Sequence, residues 1–171
     1  AGAAPRLADA VTQAMQTLGM AGGRFEVALP ALDEPQSFGL ENVELRVAAH
    51  AGSTPRPLAK VASGGELSRL ALAVAVTTAR HGDGAGTLIF DEVDAGVGGT
   101  VADTVGRLMK QLGRDRQVLA VTHLAQVAAC GDHHFVVSKA TAASGRTTSD
   151  VQAVAGEQHT SFGMPMPVSR T

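Results

Sequence analysis

The chain reads as an α/β domain, with a parallel sheet flanked by helices and a smaller antiparallel part ahead of it. Two patterns carry that reading. The apolar runs in Thr87–Phe90 and Gln117–Val121 alternate with helical segments, as strands of a buried parallel sheet do. Earlier, Arg24–Leu29 and Phe38–Ala48 alternate apolar with polar residues, as half-buried antiparallel strands do. A length of 171 residues with 44% hydrophobic residues suits one domain with a real core.

The elements follow in order. Leu7, Ala10, Val11, Ala14, Met15 and Leu18 recur at helical spacing, and Gly19–Gly23 ends that helix. Arg24–Leu29 is the first strand and Pro30–Ser37 a loop. Phe38–Ala48 is the second strand, with Val43, Leu45 and Val47 on one face, and Ala51–Pro57 is a loop. Glu66–Arg80 is a strongly apolar helix, His81–Gly86 a turn and Thr87–Phe90 a buried strand. Thr100–Leu112 is an amphipathic helix, Gln117–Val121 a second buried strand and Leu124–Ala129 a short helix. His134–Ser138 is a third strand, Ala140–Arg146 a turn and Thr147–Val154 an edge strand. From Gly156 the pattern dissolves into a loose tail.

Composition removes several functions. A net charge of −2 argues against binding nucleic acid by bulk positive charge. With 3% aromatics and neither Trp nor Tyr, the composition argues against a base-stacking single-strand binder. The single cysteine, Cys130, excludes a disulfide framework and a multi-cysteine zinc site, and fits a reducing cytoplasm. No run of 18 apolar residues and no signal-peptide pattern is present. The chain starts at Ala1 without an initiator methionine, as a processed chain or a piece of a longer one does.

Three segments carry chemistry. Ser63-Gly64-Gly65-Glu66 precedes a long helix. There backbone N–H groups and the helix dipole favour an anion, and the Ser63 hydroxyl can donate to a phosphate oxygen. The same residues also read as an ordinary cap, Ser63 and Glu66 forming a capping box. Leu88-Ile89-Phe90-Asp91-Glu92 puts two acids at the C-terminal end of a buried strand, the edge where α/β sheets bind ligands. Asp91 could hold Mg²⁺, directly or through water, and Glu92 could polarise an attacking water as general base. An acidic turn is the plainer alternative. Val118–His123 ends another buried strand in His123, which could hydrogen-bond a phosphate or serve only structure.

Taken together, the three segments resemble the signature, Walker B and switch histidine of an ABC-type ATPase head, with Asp94 matching the D-loop aspartate. The resemblance narrows to the RecN family of bacterial SMC-like DNA repair ATPases. Lys60–Arg69, Ile89–Gly99 and Val121–Ala128 look like RecN segments, and so do Leu18-Gly19-Met20 and Arg24–Val27. Val93 stands where a transporter ATPase more usually has proline. The likeness runs from about Arg6 to Val154.

The resemblance implies the C-terminal lobe of a head. Residues 1–20 are then the end of a returning coiled coil, 21–60 a β-rich connection, 61–155 the ATPase lobe and 156–171 an irregular tail unlike the family. No Gly-x-x-x-x-Gly-Lys-Ser/Thr occurs here, so the P-loop belongs to an N-terminal lobe of the same protein. In such heads ATP with Mg²⁺ is sandwiched between two copies. Ser63, Gly64, Gly65, Glu66 and Asp94 contribute to nucleotide binding, Asp91 to the metal, and Glu92 and His123 to catalysis. The implied partners are the P-loop lobe, a second head and DNA, in a cytoplasmic, nucleoid-associated protein with no membrane contact. The rival readings are a head of another SMC-like or ABC ATPase, and a docking lobe without catalysis.

Other residues have plainer readings. Asp132-His133-His134 is a poor metal site, because adjacent strand residues face opposite ways. Cys130 is a helix-end residue, and Arg69 packs or caps the signature helix or reaches a partner head. Arg114 and Arg116 are loop charges and candidates for DNA phosphate contact.

Overall fold

A computed structural model of the chain describes residues 2–61, 63–79, 85–141 and 145–154. The expected tail, most of the His81–Gly86 turn and part of the Ala140–Arg146 turn lie outside the described residues.

Helix α1 spans Ala3–Thr17. Val11, Met15 and Leu18, spaced by four and three residues, are fully buried along one side. Gly19, at φ 75°, takes the left-handed conformation that stops the helix. Strand β1, Arg24–Ala28, follows. The segment expected as a loop forms a hairpin instead: β2, Ala31–Gln36, pairs antiparallel with β3, Gly39–Glu41. The expected strand Phe38–Ala48 is therefore split. Asn42 N–H donates to Pro30 O at 2.9 Å, and Asn42 Oδ1 accepts from Val43 N–H at 2.9 Å, a local turn that competes with the ladder. Val43 is left exposed outside the strand. Strand β4, Glu44–Ala48, pairs antiparallel with β1, setting Phe25 opposite Val47 in the core. A two-residue strand β5, Arg56–Pro57, completes the order β1-β4-β5, and a 3-10 turn covers Leu58–Lys60.

Helix α2, Gly64–Thr78, packs against α1 and buries Leu70, Leu72 and Ala73. Helix α3, Gly99–Leu112, buries Ala102, Val105, Met109 and Leu112. It approaches the short helix α4, Ala125–Ala128, closely: a Cβ at Gly106 would sit 2.8 Å from Cys130 Sγ. Lys110 pairs with Asp132 beyond α4 and holds that carboxyl below the usual carboxylate range.

Strand β6, Thr87–Phe90, pairs parallel with β7, Gln117–Ala120, with Ile89 beside Leu119. The expectation of strands buried on both faces is corrected. Leu88, Phe90 and Val118 join the core, whereas Ile89 is 70% and Val121 64% exposed. Among the described residues, helices cover one face of the pair and leave the apolar side chains of Ile89, Leu119 and Val121 exposed on the other. The third strand also departs from expectation. Strand β8, His134–Thr141, does not extend the parallel pair but forms an antiparallel hairpin with β9, Thr147–Val154. Apolar content alone does not specify which neighbour a strand chooses.

Candidate functional site

The parallel pair sets the site. Val121 N–H donates to Phe90 O at 2.9 Å, so the two strands end level with one another. Asp91-Glu92 and Thr122-His123 therefore leave the same C-terminal edge. Asp91, Glu92 and His123 are exposed there. Asp91 Oδ1 accepts from Glu92 N–H at 3.0 Å. Glu92 has φ 54°, the one non-glycine residue with positive φ among those described. That conformation costs roughly 1–2 kcal/mol, so its neighbours must hold it.

The N-terminus of α2 supplies the holding contacts. Ser63 Oγ caps the helix, accepting from Glu66 N–H at 3.3 Å. The Glu66 carboxylate turns to His50 Nε2, 3.3 Å away. The missing side chains of Gly64 and Gly65 are what let the helix meet the strand-end loop. A Cβ at Gly64 would collide with the Glu92 carboxylate, and one at Gly65 would lie 3.0 Å from Ala95 Cβ and Ala95 O. One turn on, Ser68 Oγ donates to Asp91 O, and Arg69 Nη1 donates to Ala95 O at 2.8 Å. Arg69 is buried, which pushes its guanidinium below its ordinary value, while the Glu66 carboxylate opposes that. A hydrogen bond from a charged donor contributes about 1.5–3 kcal/mol, enough to offset the strain at Glu92.

Asp94 organises the other half of the edge. It is 1% exposed. Its Oδ2 accepts from the Thr122 hydroxyl, from His123 N–H at 3.2 Å and from Leu124 N–H at 3.4 Å. Its Oδ1 lies 3.6 Å from His123 Nδ1. The aspartate thus fixes the backbone that presents His123, and its oxygens are engaged within the chain.

The structure accordingly brings Ser63, Gly64, Gly65 and Glu66 against the loop carrying Asp91 and Glu92, and ties Asp94 to His123. Thr122 and Ser68 were not singled out in the sequence. A hydroxyl next to the strand-end histidine is the only signal that pointed to Thr122. Arg69 packs inside the chain, the first of the two roles its sequence position allows.

The residues suit a nucleotide and its metal. Asp91 offers a hard oxygen donor, and among the described residues no group of three or more His, Cys, Asp and Glu could hold a metal alone. A single carboxylate of this kind is a donor Mg²⁺ takes, with phosphate and water filling the rest of its sphere. The α2 N-terminus offers an anion two residues without side chains and a serine hydroxyl.

In fold the chain is similar to part of the head domains of solved SMC proteins. A solved Smc head domain with a coiled coil and joint from Pyrococcus yayanosii aligns at TM-score 0.61 and 24% identity, over 90% of this chain and 27% of that one. A structure solved in work on ATP-driven dimerization and DNA-stimulated activation of SMC ATPases aligns at TM-score 0.50 and 22% identity, over 87% of this chain and 83% of its own. In sequence the chain is RecN-like. It is 45% identical over 152 residues to the DNA repair protein RecN of Deinococcus radiodurans, covering 89% of this chain and 26% of that protein. To RecN of Haemophilus influenzae it is 48% identical over 139 residues, covering 81% and 25%. The chain thus spans about a quarter of the length of the curated relatives it matches. No protein-family model matches it.

Proposed function

We propose that this chain is the C-terminal half of a RecN-type head that binds and hydrolyses ATP between two heads in DNA double-strand break repair. The observation that supports this best is the junction between α2 and the strand end, where Ser68 and Arg69 bond the loop that carries Asp91 and Glu92. A phosphate-facing helix end and two strand-end acids are what such a head needs from this half. The P-loop comes from a separate N-terminal lobe, and the bare face of Ile89, Leu119 and Val121 is a surface for that lobe to cover.

A bound nucleotide with Mg²⁺ would supply an electrophilic phosphorus, with the negative charge on its oxygens partly neutralised by the metal. The residues do the rest. Asp91 places one carboxylate oxygen for the metal. Glu92 accepts a proton from the attacking water, and its exposure at the strand end leaves it open to that water. His123, fixed from behind by Asp94, hydrogen-bonds the same group. Ser63 and the amides after it bind phosphate held by the partner head, whereas Asp91, Glu92 and His123 act on nucleotide of their own head. Catalysis is then positioning and electrostatics in an in-line displacement.

Ser63→Arg tests the signature. It removes the α2 cap, worth about 1 kcal/mol, and puts a long cation where phosphate should approach. In the complete protein, nucleotide binding is expected to stay within roughly threefold while turnover falls by about 100-fold or more. Steady-state phosphate release with nucleotide titration reads both. A Ser63→Arg protein at wild-type turnover contradicts the proposed role.

A further inference from the structure

We propose that Ser68 and Arg69 are positioning residues for Glu92, a clamp that holds the 91–95 loop to α2 and keeps Glu92 in its left-handed backbone conformation. The two bonds fall on either side of Glu92. Ser68 takes the carbonyl before it, Asp91 O, and Arg69 takes Ala95 O, three residues after it. Ala95 N–H in turn donates to Glu92 O at 3.0 Å, closing a tight turn between the two anchors. Without anchors, a glutamate at φ 54° relaxes toward the right-handed or extended regions, and its carboxylate swings away from the strand end.

The guanidinium is an expensive way to fasten a helix. Arg69 Nε is buried without a hydrogen-bond partner among the described residues, so the side chain is only partly satisfied. An apolar side chain would pack there without that penalty, but it could not reach Ala95 O. Gly65 makes room for it, since a Cβ there would lie 3.1 Å from Arg69 Nη1. The clamp also joins the N-terminal part of α2 to the loop that carries Glu92.

This inference rests on the proposed ATPase role of Glu92. The test is a double-mutant cycle in the complete protein with Arg69→Met, Ser68→Ala, Glu92→Gln and the pair Arg69→Met/Glu92→Gln. Single-turnover rates are normalised to nucleotide-binding sites, so that misfolded protein does not count. Arg69→Met is expected to lower kcat roughly 10- to 100-fold with KM for ATP within about twofold, and Ser68→Ala to do so less. In the Glu92→Gln background Arg69→Met is expected to cost nothing further, because the residue it positions is already gone. An equal loss in both backgrounds, or a raised KM with unchanged kcat, overturns the clamp. A Glu92→Gln protein at full turnover overturns the catalytic reading itself and the clamp with it, and comes from a different variant.

Discussion

Replacing Glu92 by Gln in the complete protein is expected to stall ATP turnover while leaving nucleotide bound. The amide keeps the size of the carboxylate and its place at the end of β6, so the loop and its contacts with Ser68 and Arg69 persist. What is lost is the capacity to take a proton from water. General-base removal of this kind costs about 100- to 10,000-fold in rate. Binding should hold, because in the proposed arrangement phosphate meets the α2 N-terminus and a P-loop from another lobe rather than Glu92. Phosphate release at saturating ATP, with bound nucleotide measured in parallel, reads the split. A matched fall in binding and turnover would assign Glu92 to binding instead.

Asp94→Ala is expected to be the most damaging change to the fold at the site. One buried carboxylate oxygen serves the Thr122 hydroxyl and the N–H groups of His123 and Leu124. Truncation leaves His123 N–H without that acceptor and weakens the other two donors, which keep only their contacts with each other's residue, Leu124 N–H with Thr122 Oγ1 at 3.1 Å and the Thr122 hydroxyl with Leu124 O at 3.5 Å. In this half-buried setting an unpaired group costs about 1–3 kcal/mol if water cannot reach it. Partial access of water lowers the sum, and about 3 kcal/mol of stability is the expected loss. Asp94→Asn keeps one acceptor and is expected to lose less than half as much. Urea unfolding of the complete protein measures both, read at the transition that contains this lobe. The alanine variant should also lose turnover beyond its loss of folded protein, since His123 is no longer presented. An Asp94→Ala protein as stable as wild type would show that the 122–124 backbone does not depend on that carboxylate.

Much of this edge was legible in the sequence, because its chemistry sits where apolar strands stop. Phe90 followed by Asp91-Glu92, and Val121 followed by Thr122-His123, mark strand ends by an abrupt change in polarity. Ser63-Gly64-Gly65 before an apolar helix marks a helix start in the same way. The clamp was hidden. Ser68 and Arg69 lie among polar residues of an early helical turn, and only the packing shows that one reaches Asp91 O and the other Ala95 O. The β2–β3 hairpin was hidden for the opposite reason. Asp33, Glu34, Pro35 and Gln36 carry no alternation, and their pairing depends on the turn that follows. The exposed face of the parallel pair reads as buried in the sequence, because apolar composition does not tell which face the described helices cover. Ile89 and Leu119 lie on that exposed face.

In the proposed head pair, the signature of one head and the strand-end acids of the other make a single nucleotide site. Mixing two inactive complete proteins, Ser63→Arg and Glu92→Gln, tests it most directly. In a two-fold symmetric pair, a mixed dimer rebuilds one site with an intact Ser63 from one copy and an intact Glu92 from the other. The mixture is then expected to recover up to about a quarter of wild-type phosphate release, although neither variant turns over alone. A mixture in which both variants fold, bind nucleotide and associate, yet remains as inactive as its components, would contradict the shared site and leave this lobe as a docking surface.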